Sequence, residues 1–302
     1  MSPVVLERLR RYAAPALFVF AFGAFLVLTF PFEVIARRLE VEARRAGNDL
    51  TIGSLGSSGL FGLRARDVKL RVQDAGGAVV EYSFARVDVR PDLLPLLLRR
   101  VGFGFSVEAY GGTAHGHGKM SNDPQQPGLA ALQVEAQDLD LHALPIAPQD
   151  AELAGKATLK LDLPALQPVE AASGSVSVKV QGASVVRAVA RLEGGMTMSL
   201  PRVSLGEIDC ALTIEKGLAK VERISAKGGD VEADVDGTLR LQPALALSQA
   251  DLHARVKPSD RWLDSNPMLR GALSFLGPRA ADGSYTVSAT GPLLRLQPRP
   301  GR

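Results

Sequence analysis

From residue 50 onward the dominant period of this chain is two. Leu159, Leu161 and Leu163 alternate with Thr158, Lys160 and Asp162, and Val176, Val178 and Val180 alternate with Ser175, Ser177 and Lys179. The pattern recurs at Leu132, Val134 and Ala136, at Leu239 and Leu241, and at Tyr285, Val287 and Ala289. Successive side chains of a strand point to opposite faces, so such segments predict strands with one dry and one wet face, as in antiparallel sheets. Many of them open on a glycine: Gly155, Gly174, Gly237, Gly271 and Gly283. The spacing between them is not fixed, which makes this a strand grammar rather than a countable repeat.

Two predicted strands slip phase. One carries Phe61, Leu63 and Ala65, then Val68, Leu70 and Val72; the other carries Val80, Tyr82 and Phe84, then Val87 and Val89. A slip of one residue sends side chains to the other face unless a bulge absorbs it, and bulges bend and twist sheets. The expected fold is therefore mainly β: an elongated, strongly curved antiparallel sheet with few short helices. Residues 91–100, "PDLLPLLLRR", read as a short helix covering one end of the sheet. Residues 259–265 read as another, with Ser259 as N-cap and Trp262 and Leu263 facing inward. Loops rich in Pro, Gly and Gln fall at residues 121–128 and 145–150.

Ahead of the strands, residues 12–32 carry no charge over 21 positions, enough at ~1.5 Å per residue to cross a hydrocarbon core of ~30 Å. The run exceeds the ~7–15 apolar residues of a cleavable signal, although Val34-Ile35-Ala36 offers small residues for cleavage. An uncleaved anchor is the expectation. Arginines on both sides leave the orientation undecided by charge; a short cytoplasmic tail, residues 1–11, places the body outside the cytoplasm. Residues 33–47 continue as a juxtamembrane helix that stops at Gly47. The β-rich domain covers residues 48–302, with a subdivision near residues 145–150.

Composition narrows the function classes. Lys and Arg number 35 against 32 Asp and Glu, and they are scattered, so no nucleic-acid surface is expected. Cys210 is the single cysteine, which excludes an internal disulfide framework. Seven of the 16 aromatic residues lie in the first 32 positions, so the core of the β domain is built from Leu, Val and Ala.

Few residues look catalytic. Glu232, Asp234 and Asp236 before Gly237 mimic the start of a calcium loop, but Pro243 stands where the bidentate acid belongs and Arg240 where oxygen ligands are needed. Acids interleaved with Val231, Ala233 and Val235 read as the wet face of a strand. His115-Gly-His117-Gly puts two imidazoles on one side of a strand, and two ligands make no closed zinc site. Gly102-Phe-Gly104 lacks the rest of a dinucleotide loop, and no P-loop or nucleophile elbow is present. No enzyme, metal or cofactor is expected.

The stretch "FPFEVIARRLEVEARRAG" followed by "LTIGSLGSSGLFGLRARDVKLRV", together with the C-terminal "GALSFLGPRAADGSYTVSATGPLLRLQPRP", resembles the type II secretion system protein N (GspN) family in its myxobacterial-like form. That family is related to AsmA-like proteins, whose curved sheets form an open groove with an apolar interior. The resemblance implies a single-pass bacterial inner-membrane protein, cytoplasmic at its N-terminus and periplasmic in bulk. Its role would be structural or assembly-related, with other secretion-system components as partners. The alternative is a lipid-handling groove protein that takes phospholipid acyl chains. On either reading the groove candidates are Leu159, Leu161, Leu163, Val176, Val178, Val180, Leu239 and Leu241.

Overall fold

The structure is a computed structural model that describes residues 32–45, 47–59, 62–73, 79–92, 101–123, 128–145, 151–191, 197–243, 247–267, 271, 273, 278–293 and 296–301. Helix α1 (Phe32–Arg45) opens the described chain. Its ends suit the helix dipole: Glu33 lies in the first turn, Arg44 and Arg45 in the last. It stops at Gly47, whose φ of +81° admits the left-handed turn of a Schellman cap. There the Gly47 N–H donates to the Arg44 carbonyl (3.0 Å) and the Asn48 N–H to that of Ala43 (2.9 Å).

Among the described residues fifteen strands follow in one sheet: β1 (Asp49–Ser58), β2 (Gly62–Gln73), β3 (Val79–Pro91), β4 (Gly102–Ala109), β5 (Gly112–Met120), β6 (Leu129–Asp140), β7 (Ala151–Ala165), β8 (Ser173–Arg191), β9 (Thr197–Leu200), β10 (Val203–Glu215), β11 (Leu218–Lys227), β12 (Val231–Arg240), β13 (Gln249–Pro258), β14 (Tyr285–Pro292) and β15 (Gln297–Pro300). Each pairs antiparallel with its successor, except that β8 takes β10 along most of its length and β9 only at Ala188–Arg191. Sequence order is thus spatial order. The sheet is not closed, and β1 and β15 are its ends. Two hairpins turn on two-residue loops, Tyr110-Gly111 (φ 53° and 73°) and Lys216-Gly217 (φ 49° and 72°). Both residues of each loop are left-handed, the turn whose twist matches that of the flanking strands.

Both phase slips are present, and they lie side by side. Ile52, Val68 and Phe84 are register partners, as are Leu55, Ala65 and Val87. Between them the ladder breaks at one level, at Gly53, Asp67 and Ala85, with Asp67 left-handed at φ 52°. No residue is inserted into one strand alone, so β1, β2 and β3 change phase together.

Several expectations need correction. No helix of the described residues is long and apolar enough to cross a membrane. The longest, α1, has 14 residues and bears seven charged side chains, too short and too polar for a hydrocarbon core. The single-pass inner-membrane localisation is thereby not sustained; the anchor expected at residues 12–32, on which it rested, lies outside the described residues apart from Phe32. Gly271 opens no strand: Gly271 and Leu273 are helical. Leu269 and Leu273 also fit a four-residue helical spacing, and a short apolar run cannot separate the two periods. The helix expected at 91–100 lies outside the described residues, apart from Pro91, the last residue of β3, and Asp92.

Helix α2 (Asp260–Ser265) does form where expected. The Ser259 side chain accepts from the Trp262 N–H (3.3 Å), and Leu263 is 1% exposed. Trp262 is half-buried and turns its indole N–H to the Arg202 carbonyl (3.3 Å).

Candidate functional site

Direct register partners in an antiparallel pair carry their side chains on the same face, so the register fixes both faces of this sheet. One row runs Leu55, Ala65, Val87, Val107, Ala114, Ala136, Leu159, Val178, Cys210, Ile224, Val235, Ala254 and Val287, and reaches Pro300 in register. Beside it runs a second: Leu63, Val89, Phe105, Gly116, Val134, Leu161, Val176, Leu212, Val221, Gly237, Leu252 and Ala289. Neither row contains a charged or hydrogen-bonding side chain other than the Cys210 thiol. The dry face is unbroken from one end of the sheet to the other.

All eight groove candidates fall on or beside these rows. Leu161, Leu163, Val176, Leu239 and Leu241 pack with Ile214, Ala219 and Ala172. Val178 and Val180 pack with Ala157 and Ala183, and Leu159 is the register partner of Val178. Leu241 lies just past the end of β12. Burial on the face is shallow. Half of the buried apolar residues are alanines, whereas Leu159, Leu161, Val176 and Val178 are only half-buried. A second layer would have covered these larger side chains, and none packs on them among the described residues.

The glycines of His115-Gly116-His117-Gly118 belong to this face. A β-carbon on Gly116 would lie 2.4 Å from Phe105 Cζ, and one on Gly118 2.4 Å from Phe103 Cζ. The rings of β4 therefore lie over the bare backbone of β5. The signal for that pairing is Phe-x-Phe followed by Gly-x-Gly, which marks two rows of one face only once the β4–β5 register is known.

The wet face has its own continuous row: Arg90, Gly104, His117, Gln133, Asp162, Ser175, Thr213, Lys220, Thr238, Asp251 and Thr290. A concavity of about 1090 Å³ opens on this side, over β3 to β8, and takes in His115, His117, Gln133, Glu135, Lys160 and Asp162. Its charges are largely matched within it. Asp88, nearly buried, accepts from Arg64 Nε (2.6 Å) and Arg86 Nε (2.7 Å). Burial alone would raise the Asp88 carboxyl, but hydrogen bonds from Arg64, Ser58 and Arg86 hold it below the usual carboxylate range. Lys160 meets Glu135 at 2.8 Å, a bond that lowers the Glu135 carboxyl, and Gln133 donates to Asp162 at 3.0 Å. This network had no sequence signal, because its members come from separate strands.

The acidic run of β12 lies as its alternation implies: Glu232, Asp234 and Asp236 are exposed, and Val231, Ala233 and Val235 half-buried. The three acids face Lys257, Arg255 and His253 across the ladder. Asp230 departs from the row, because its carboxylate accepts from the Ser204 N–H at 2.9 Å. Gly237 allows β13 to approach, because a β-carbon there would lie 2.1 Å from the Asp251 carbonyl oxygen. Among the described residues no three His, Cys, Asp or Glu side chains are placed to hold a metal. A smaller concavity of about 460 Å³ lies near the start of α2, where Arg279 meets Asp260 at 2.7 Å. Close by, Arg255 binds Asp282, whose carboxyl is pulled down to about 2 chiefly by hydrogen bonds from the Ser284 hydroxyl and N–H.

No protein family, curated protein or solved structure matches this chain.

Proposed function

We propose that this chain is a non-catalytic binding component of a type II secretion apparatus, holding an apolar partner surface against the dry face of its sheet. One observation carries the proposal: the dry face is continuous across the sheet and bears no second layer among the described residues. At ~4.8 Å between strands it is roughly 60 Å long. An apolar surface of that extent on a monomer normally has an occupant. Wet-face charges are matched at Arg64–Asp88 and Lys160–Glu135, which supports reading the dry face as the binding surface. The secretion role rests on the resemblance of the first seventy and last thirty residues to the GspN family.

A second occupant, phospholipid acyl chains, is favoured by the makeup of the two rows, which are almost wholly aliphatic and, apart from the weak Cys210 thiol, offer no side-chain hydrogen bond to orient a polar ligand. Val178→Asp tests the binding role, since it places a carboxylate mid-row. In the host bacterium, loss of the gene should reduce secreted protein, and the Val178→Asp gene should fail to restore it although its product folds. Full restoration by Val178→Asp would defeat the proposal. Uptake of a fluorescent phospholipid from vesicles by the purified protein, lost in the same variant, would identify lipid as the occupant.

A further inference from the structure

Helix α1 packs on β1 by one face. Phe32, Ile35, Ala36, Glu40 and Ala43 are half-buried there, and Glu40 Oε1 accepts the Ile52 N–H at 3.1 Å. The opposite face points away from the sheet and is regular in makeup. Val34 and Val41 stand seven residues apart, close to two helical turns, so they form one line along the helix. Arg37 and Arg38 follow Val34 by three and four residues, and Arg44 and Arg45 follow Val41 by the same steps. Residues at those spacings are neighbours on a helix surface. The result is a strip with valines along its middle and two arginines on either side.

The strip is open. Val34 is 63% and Val41 45% exposed, and all four arginines are exposed. The glutamates of α1 fall outside it: Glu40 is on the inner face, and Glu33 and Glu42 lie on the flanks. Arg45 meets Glu42 at 2.9 Å and Arg44 reaches Asp49 only at 3.9 Å, both at exposed positions where such pairs contribute little. Arg37 and Arg38 have no ion pair or side-chain hydrogen bond among the described residues.

We propose that this outer face of α1 rests on the surface of a bilayer that contains anionic lipid, with the arginines on headgroup phosphates and Val34 and Val41 turned toward the acyl region. The charge is complementary, and a guanidinium matches phosphate oxygens in a bidentate fork. Arginine stems can lie beside the valines while their heads stay among the phosphates. A polyanion with no apolar layer beneath it would leave both valines in water. The sequence that leads into α1 agrees with lipid as the occupant, since residues 12–31 carry no charge. A surface contact of this kind needs no segment that crosses the bilayer, and it is independent of what the dry face holds.

The test reads residue 41 itself, so that attachment through another part of the chain does not count. In the full chain Val41 is replaced, by codon suppression, with a fluorescent amino acid sensitive to its surroundings. The protein is mixed with phosphatidylcholine vesicles made with or without phosphatidylglycerol. The emission should brighten several-fold and shift to the blue only where phosphatidylglycerol is present, and high salt should reverse it by screening the headgroup charge. Arg37→Gln and Arg38→Gln together should remove most of the response. The same fluorophore at Ser175, exposed on β8, should not respond. An equal response on pure phosphatidylcholine, a response that the glutamine pair leaves intact, or no response overturns the proposal. So does an equal response at residue 175, which would report unfolding on the vesicle. A matching response to soluble poly-glutamate without vesicles would assign the strip to an acidic protein and overturn the proposal too. If the glutamine pair fails to fold, the comparison of the two vesicles with salt reversal decides on the same terms.

Discussion

A β-carbon at residue 116 would sit 2.3 Å from the Gln133 carbonyl oxygen and 2.4 Å from Phe105 Cζ, whereas one at residue 56 would meet nothing within 4 Å. Gly116→Ala should therefore cost on the order of 1–3 kcal/mol. Gly56→Ala should be neutral or slightly stabilising, since alanine loses less backbone freedom on folding. Urea unfolding of the pair measures both, and equal effects would show that Phe105 does not lie on β5. At the acidic end, the Asp282 carboxyl titrates near 2 because Ser284 donates to it twice. A carboxyl lowered on folding stabilises above its unfolded pKa, and that stabilisation is lost as pH falls from about 4 through about 2. Ser284→Ala should move the Asp282 titration upward toward the ordinary carboxylate range, as read by carboxyl-carbon NMR; an unmoved titration would assign the shift to Arg255 instead. Neither the Phe105–Gly116 contact nor the Ser284 donation is announced by one residue alone, since each needs the register of two segments.

At the scale of elements, strands were easier to read than helices. Period two stands out wherever one face is dry, and it foretold β6, β7, β8, β12 and β14 together with the coupled slips of β2 and β3. It could not say that Gly53 on β1 shares the slip, because β1 is rich in Gly and Ser and shows few apolar residues to slip. The glycine-led segment at Gly271 shows the opposite failure, a short apolar run that satisfies both periods and whose described residues, Gly271 and Leu273, are helical. Helix α2 was legible from its cap. Ser259→Ala removes the acceptor for the Trp262 N–H and should cost about 0.5–2 kcal/mol. Trp262 fluorescence should change with it, because α2 also carries the indole N–H to the Arg202 carbonyl; an unchanged midpoint and spectrum would mean that α2 is held by Leu263 burial alone.

Across the whole molecule, the continuity of the dry face was not visible in any single segment. Eight candidate residues could be named from their spacing. That they belong to rows running the length of the sheet required the register, and the large concavity lies on the opposite, wet face. Among the described residues nothing of the chain covers the dry face, and the proposed binding role requires that face to be open. Val178→Asp tests it by stability: a carboxylate at an open face hydrates, so the midpoint of thermal unfolding should fall only slightly. In a closed apolar core an unpaired charge is among the most destabilising changes available, and collapse of the fold would therefore contradict the claim. A more direct reporter is already in place. Cys210 lies in the middle of the first dry row, half-buried, its thiol raised by burial and then by Asp209. The native protein, treated with N-ethylmaleimide at mildly alkaline pH and weighed intact, should take up one adduct well below its unfolding transition. Labelling that appears only in denaturant would show that something of the chain's own covers the face.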